Sequence, residues 1–100
     1  MDPKRSHELV DPVMVAPRLA ALREALGLNK TDFAARIGID KSSYTKIEKG
    51  EKPLLVGSAY RIYQLYGVDL NYIYMGQVRD LPGSLSNAII SRLSNPTEAS

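Results

Sequence analysis

Residues 29 to 50, NKTDFAARIGIDKSSYTKIEKG, carry two short apolar stripes at helical spacing with a glycine between them. Asn29 suits the start of the first helix, because its side-chain oxygen can accept from the unpaired amides there. Phe33, Ala34 and Ile37 then form one buried stripe. Gly38 marks a tight turn through left-handed backbone, which only glycine enters without steric cost. Asp40 caps the second helix, Tyr44 and Ile47 form its inner stripe, and Gly50 ends it. Neither helix is long enough to be stable in isolation. The rest of the chain must therefore supply a helical core around them.

The outer face of the second helix has an unusual composition. At 100° per residue, Lys41, Ser42, Thr45, Lys46 and Lys49 fall within about 140° of arc, away from Tyr44 and Ile47. That face holds three cations, two hydroxyls and no carboxylate, while Glu48 sits at the border of the apolar stripe. On an arbitrary helix this would read as a solvated lysine face. Following a helix and a glycine turn, it reads instead as a helix that enters a nucleic-acid groove.

Composition narrows the alternatives. A chain of 100 residues is one small domain. Its net charge of +2 is modest, but residues 30–52 hold six cations against four carboxylates. With no Cys, disulfides, thiolate metal sites and cysteine nucleophiles are excluded. His7 is the only imidazole and lies in a polar stretch near Pro3 and Pro12, so neither a catalytic triad nor a metal centre is expected. No cofactor and no enzymatic activity are expected either. No run approaches the roughly 18 apolar residues of a membrane span, and the first residues lack the apolar centre of a signal peptide. A cytoplasmic protein with no membrane contact is the simplest expectation.

Along the chain, residues 1–16 show no period and read as a mobile arm, in which Lys4 and Arg5 could reach a nucleic-acid backbone. Pro17 suits a first helical turn, and Leu19, Leu22 and Leu26 follow at helical spacing until Gly27. Gly50-Glu51-Lys52-Pro53 is a loop. A fourth helix runs from Gly57 or Ser58 to Tyr66, burying Ala59, Ile62 and Tyr66 or Leu65. A fifth starts at the Asp69 cap and ends at Gly76. After a linker over 77–83, Leu85, Ala88, Ile89 and Leu93 mark a short sixth amphipathic helix that stops before Pro96. The expectation is all-α, with a domain over 17–76 and a linker plus helix over 77–100.

The stretches RLAALREALGLNKTDFAARIGIDKSSYTKIEKGEKP and YGVDLNYIYMG resemble the XRE-type helix-turn-helix family of lambdoid phage repressors and Cro. The resemblance covers Arg18 to Gly76. It implies a compact five-helix, lambda-repressor-like domain whose third helix enters the DNA major groove, usually as a homodimer on near-palindromic half-sites. Carried over, the base-reading positions are Lys41, Ser42 and Lys46, with Ser43 and Thr45 at the edges. Asn29, Lys30, Lys49 and Lys52 would hold the backbone. Lys30 stands where the family often has Gln, which keeps phosphate binding but loses a fixed amide geometry. Arg23 and Glu48 occupy the places of a structural ion pair between the first and third helices.

Five tyrosines, Tyr60, Tyr63, Tyr66, Tyr72 and Tyr74, crowd the fourth and fifth helices. They can line the core and rim, or a subunit interface. The resemblance directs Tyr72 and Tyr74 of the fifth helix to a dimer contact. The Leu85, Ile89 and Leu93 stripe would join it or fold back on its own domain. The expected function is a sequence-specific duplex-DNA-binding transcription regulator of the repressor type, with any signal arriving through a regulatory protein partner or the C-terminal tail. The alternative is an antitoxin or antiactivator that keeps the fold and holds a protein, which the lysine-rich face disfavours.

Overall fold

The computed structural model describes residues 11–94. Those residues form six helices and no strand: α1 (Pro12–Ala25), α2 (Lys30–Arg36), α3 (Lys41–Glu48), α4 (Val56–Tyr66), α5 (Leu70–Met75) and α6 (Gly83–Ser94). The all-α expectation holds, and the sixth helix is present.

Helix α1 begins five residues before the expected start at Pro17. Asp11 caps it, with its carboxylate accepting from the Val13 amide at 2.9 Å, and Pro12 takes the first helical position. Residues 12–16, read from sequence as part of a mobile arm, are therefore helical. The physical reason is that Val15 extends the Leu19 and Leu22 stripe back by one turn, and all three side chains are buried. Pro17 sits inside the helix with its ring exposed. Residues 1–10, with Lys4 and Arg5, lie outside the described residues.

The central pair folds by local rules. Asn29 accepts from the Asp32 amide at 2.8 Å to start α2. Gly38 takes φ +78°, and the Ile39 amide then donates to the Ala34 carbonyl at 2.9 Å, which closes the turn. Asp40 starts α3 in the same way, accepting from the Ser43 amide at 3.0 Å. Phe33 of α2 and Tyr44 of α3 meet edge to face, 5.5 Å between centroids, in the middle of the core.

The other helices close around that pair. Leu19 and Leu22 of α1, Ile62 of α4, Val68, Ile73 of α5 and Ile89 of α6 are all buried against it. A reciprocal clasp ties α1 to α5: the Tyr72 hydroxyl donates to the Arg18 carbonyl at 2.7 Å, and Arg18 Nη1 donates to the Ile73 carbonyl at 3.1 Å. Burial lowers the pKa of that guanidinium below its ordinary value. The start of α1 is pinned elsewhere. A Cβ on Gly50 would lie 3.1 Å from Val13 Cα, so the loop after α3 and the first turn of α1 touch backbone to backbone.

Helix α4 starts at Val56, slightly before the expected Gly57 or Ser58, and has no side-chain cap. Leu54 is buried and its carbonyl accepts from the Tyr74 hydroxyl at 2.6 Å, so the apolar residues before α4 anchor the loop rather than cap the helix. Helix α6 folds back along α1.

Candidate nucleic-acid interface

The α3 helix turns Tyr44 and Ile47 into the core, which leaves Lys41, Ser42, Lys46 and Lys49 exposed and Ser43 and Thr45 half-buried at the edges. Of the base-reading positions expected from the sequence, Lys41, Ser42, Thr45 and Lys46 thus share one outward face, and Ser43 lies beyond its edge beside the start of α4. The geometry adds an arrangement of hydroxyl protons. Asp40 accepts from the Ser42 hydroxyl at 3.0 Å as well as from the Ser43 amide. These bonds, led by the Ser43 amide, hold the Asp40 carboxyl down at about 2. Thr45 Oγ1 donates back to the Lys41 carbonyl at 2.9 Å. With their protons engaged, Ser42 and Thr45 present lone pairs outward. Ser43 differs, since its oxygen accepts from Lys52 Nζ at 3.0 Å.

Asp40 is the member of this site that sequence reasoning named only as a cap. The signal for its further part was the spacing of two serines at two and three residues after an aspartate.

The expected backbone-holding residues distribute unevenly. Lys30 opens α2, and Lys49 follows α3 with its side chain exposed. Asn29 spends its oxygen on the α2 cap, which leaves its amide nitrogen to donate. Lys52 is drawn back over the first turn of α3 by Ser43. Between that turn and the start of α4 lies an open cleft of about 240 Å³, lined by Ile39, Asp40, Ser43, Leu55 and Ser58 among others.

Behind the face, Glu48 is turned inward. Arg23 Nε donates to Glu48 Oε2 at 2.6 Å and Arg23 Nη2 to Oε1 at 3.3 Å, a forked pair, while Arg23 Nη1 donates to the Leu28 carbonyl at 2.9 Å. The Tyr44 hydroxyl donates to the same carboxylate. Glu48 is 6% exposed at its side chain and Arg23 13%. Burial, reinforced by the Glu48 carboxylate, pushes the Tyr44 phenol well above its usual range. The hydrogen bond to Glu48 raises the Arg23 guanidinium further. The outcome is that the one carboxylate within α3 is removed from the outer face and used to fix the helix to α1.

A helix-turn-helix family model matches residues 19–73, more than half of the chain. The chain belongs to the XRE-type helix-turn-helix family. No curated protein and no solved structure matches it. Helices α2 and α3 are the two helices of the motif, and the match ends within α5, leaving α6 outside it. The family is one of DNA-binding regulators, so DNA binding is the role this helix-turn-helix chain carries.

The residues expected from sequence at a dimer contact pack wholly or partly within the protomer. Tyr72 and Ile89 are fully buried inside the protomer, the Tyr74 hydroxyl is bonded to Leu54, and Leu85 and Leu93 pack partly buried on the same core. Tyr72 is engaged in the clasp to Arg18, and α6 packs along α1. Tyr72 and Ile89 thus help hold this helix-turn-helix domain together, while Tyr74, Leu85 and Leu93 keep part of their surface open. The tyrosines left outside are Tyr60 and Tyr63 of α4. Among the described residues no group of His, Cys, Asp and Glu is placed to hold a metal ion, and no helix is long and apolar enough to cross a membrane.

Proposed function

We propose that the protein is a sequence-specific transcription regulator, a repressor, that binds duplex DNA as a homodimer with α3 in the major groove. The observation that carries this reading is the inward turn of Glu48, which leaves the exposed side of α3 to Lys41, Ser42, Lys46 and Lys49. In the groove, Lys41 and Lys46 donate to guanine O6 and N7. Ser42 and Thr45, their protons committed to Asp40 and Lys41, accept from the amino groups of adenine N6 or cytosine N4. Asn29, Lys30, Lys49 and Lys52 hold phosphates, and release of condensed counterions makes this part of the affinity fall steeply with salt. No Arg–guanine or Gln–adenine fork exists on this face, so each α3 discriminates modestly and two are needed for a specific site.

The test is selection of bound sequences from a random duplex pool, repeated with two variants. Lys46→Ala flattens base preference at its contact. Lys30→Ala weakens binding to all selected sequences alike and lowers the slope of log affinity against log salt by about 1. A protein that shifts no duplex at low salt refutes the reading.

A further inference from the structure

Helix α4 carries an apolar stripe that no part of the described chain covers. Val56, Tyr60 and Tyr63 fall within about 60° of arc on its surface, and Leu55 precedes them. These four residues are 63%, 53%, 48% and 72% exposed respectively. The two tyrosine rings already lie side by side, 6.2 Å between centroids. The stripe itself holds no charged side chain. The cation on α4, Arg61, projects from another side of the helix, and its Nε donates to the Arg36 carbonyl at 3.3 Å. Nothing in the fold requires large apolar side chains there, since Ala59 and Ile62 supply the buried contacts of α4.

We infer that this α4 stripe is the dimer surface, and that its occupant is the same stripe of a second copy related by a two-fold axis. The inference rests on the DNA-binding reading for its purpose but not for its test.

Two arguments select a second copy over a foreign protein. The first is position. Leu55 lines the same cleft as Asp40 and Ser43, so the stripe begins at the flank of α3. Two chains joined there set both α3 helices beside the joint, facing one duplex. The second is size. Four such side chains, each about half exposed or more, present on the order of 400 Å² of apolar surface, within the range of the largest patch on a monomer, which is often functional. Two-fold symmetry doubles it, and with apolar atoms making up roughly 60% of such interfaces the contact buries about 1,300 Å² in total. That is the lower bound of specific dimers, which run from about 1,200 Å² upward. An uncharged stripe is also self-complementary, because it meets its own image without like charges opposed, and tyrosine rings stack on one another. The contact is therefore weak without DNA, with micromolar dissociation, and is completed when both α3 helices engage one duplex.

The experiment is sedimentation equilibrium of the full chain without DNA, for the natural sequence and for Tyr60→Glu/Tyr63→Glu, with circular dichroism confirming that the variant is folded. The natural chain moves from monomer to dimer over micromolar to high micromolar concentrations, and the variant stays monomeric. As a second readout that adds no charge to the stripe, Tyr63→Cys in this cysteine-free chain forms an intermolecular disulfide on mild oxidation, whereas Asn87→Cys on the exposed side of α6 does not. A natural chain that remains monomeric at millimolar concentration overturns the inference, whether terminal residues or another protein then cover the stripe. So does a double-glutamate variant that dimerises as the natural chain does, or equal crosslinking of the two cysteine variants. Because no DNA is present, these results stand apart from the fate of the DNA-binding reading. A dimer that shifts no duplex would refute that reading and leave this one.

Discussion

Replacing Arg23 with methionine removes three hydrogen bonds at once, two to Glu48 and one to the Leu28 carbonyl. Glu48, with its side chain 6% exposed, is then left with the Tyr44 hydroxyl alone. Breaking a buried ion pair from one side typically costs about 3–5 kcal/mol, because the remaining charge is desolvated without compensation. Arg23 itself is 13% exposed, so some water reaches the gap and the lower end, about 3 kcal/mol, is expected. For a domain of this size that lowers the melting temperature by roughly 12–24 °C. Urea denaturation followed by far-ultraviolet circular dichroism measures the loss directly. Removing both charges does not restore stability fully, since Tyr44 keeps a buried phenol with no acceptor. The triple variant Arg23→Met/Tyr44→Phe/Glu48→Leu removes every member and returns to within about 1 kcal/mol of the natural chain. An Arg23→Met cost below about 1 kcal/mol, or a triple variant no better than the single, would refute the reasoning.

Three further outcomes follow from the same geometry. Gly50→Ala combines a φ of +78° with a Cβ placed 3.1 Å from Val13 Cα, so it destabilises by about 2 kcal/mol in the same denaturation assay, beyond the roughly 1 kcal/mol of the backbone conformation alone. Asp40 titrates at about 2 in the folded protein, below its ordinary value of 3.8. Its contribution to stability is therefore present above that ordinary value and is lost as pH falls from about 4 toward 2. Carboxyl NMR titration reads the shift, and Asp40→Ala also frees the Ser42 proton, which broadens base preference at the Ser42 contact in a selection experiment.

The parts of this molecule that were legible in its sequence are those governed by neighbours in the chain. Asn29, Gly38 and Asp40 announce the ends of α2 and α3, and the period of Tyr44 and Ile47 orients the lysine face, all within a few residues. The pairing of Arg23 with Glu48 was legible through family likeness, while the third partner, Tyr44, was hidden because its ring read simply as core. The start of α1 was misplaced because two prolines compete for the first turn. What favours Pro12 is the burial of Val15 and the contact of Val13 with Gly50, both long-range. The fates of the tyrosines were not legible for the same reason. Tyr72 is buried and Tyr74 half-buried against partners 54 and 20 residues away, Arg18 and Leu54, whereas Tyr60 and Tyr63 remain outside. Local periodicity cannot distinguish those two pairs.

Contact between the outer face of α3 and DNA can be read residue by residue. The most direct measurement is a titration of the isotopically labelled protein with a duplex recovered by selection, following backbone and side-chain resonances. The largest changes are expected at Lys41, Ser42, Thr45 and Lys46, with smaller ones at Asn29, Lys30 and Lys49, and none at the exposed residues of α6. Changes centred on α6, or a duplex that binds while α3 stays unperturbed, would contradict this contact.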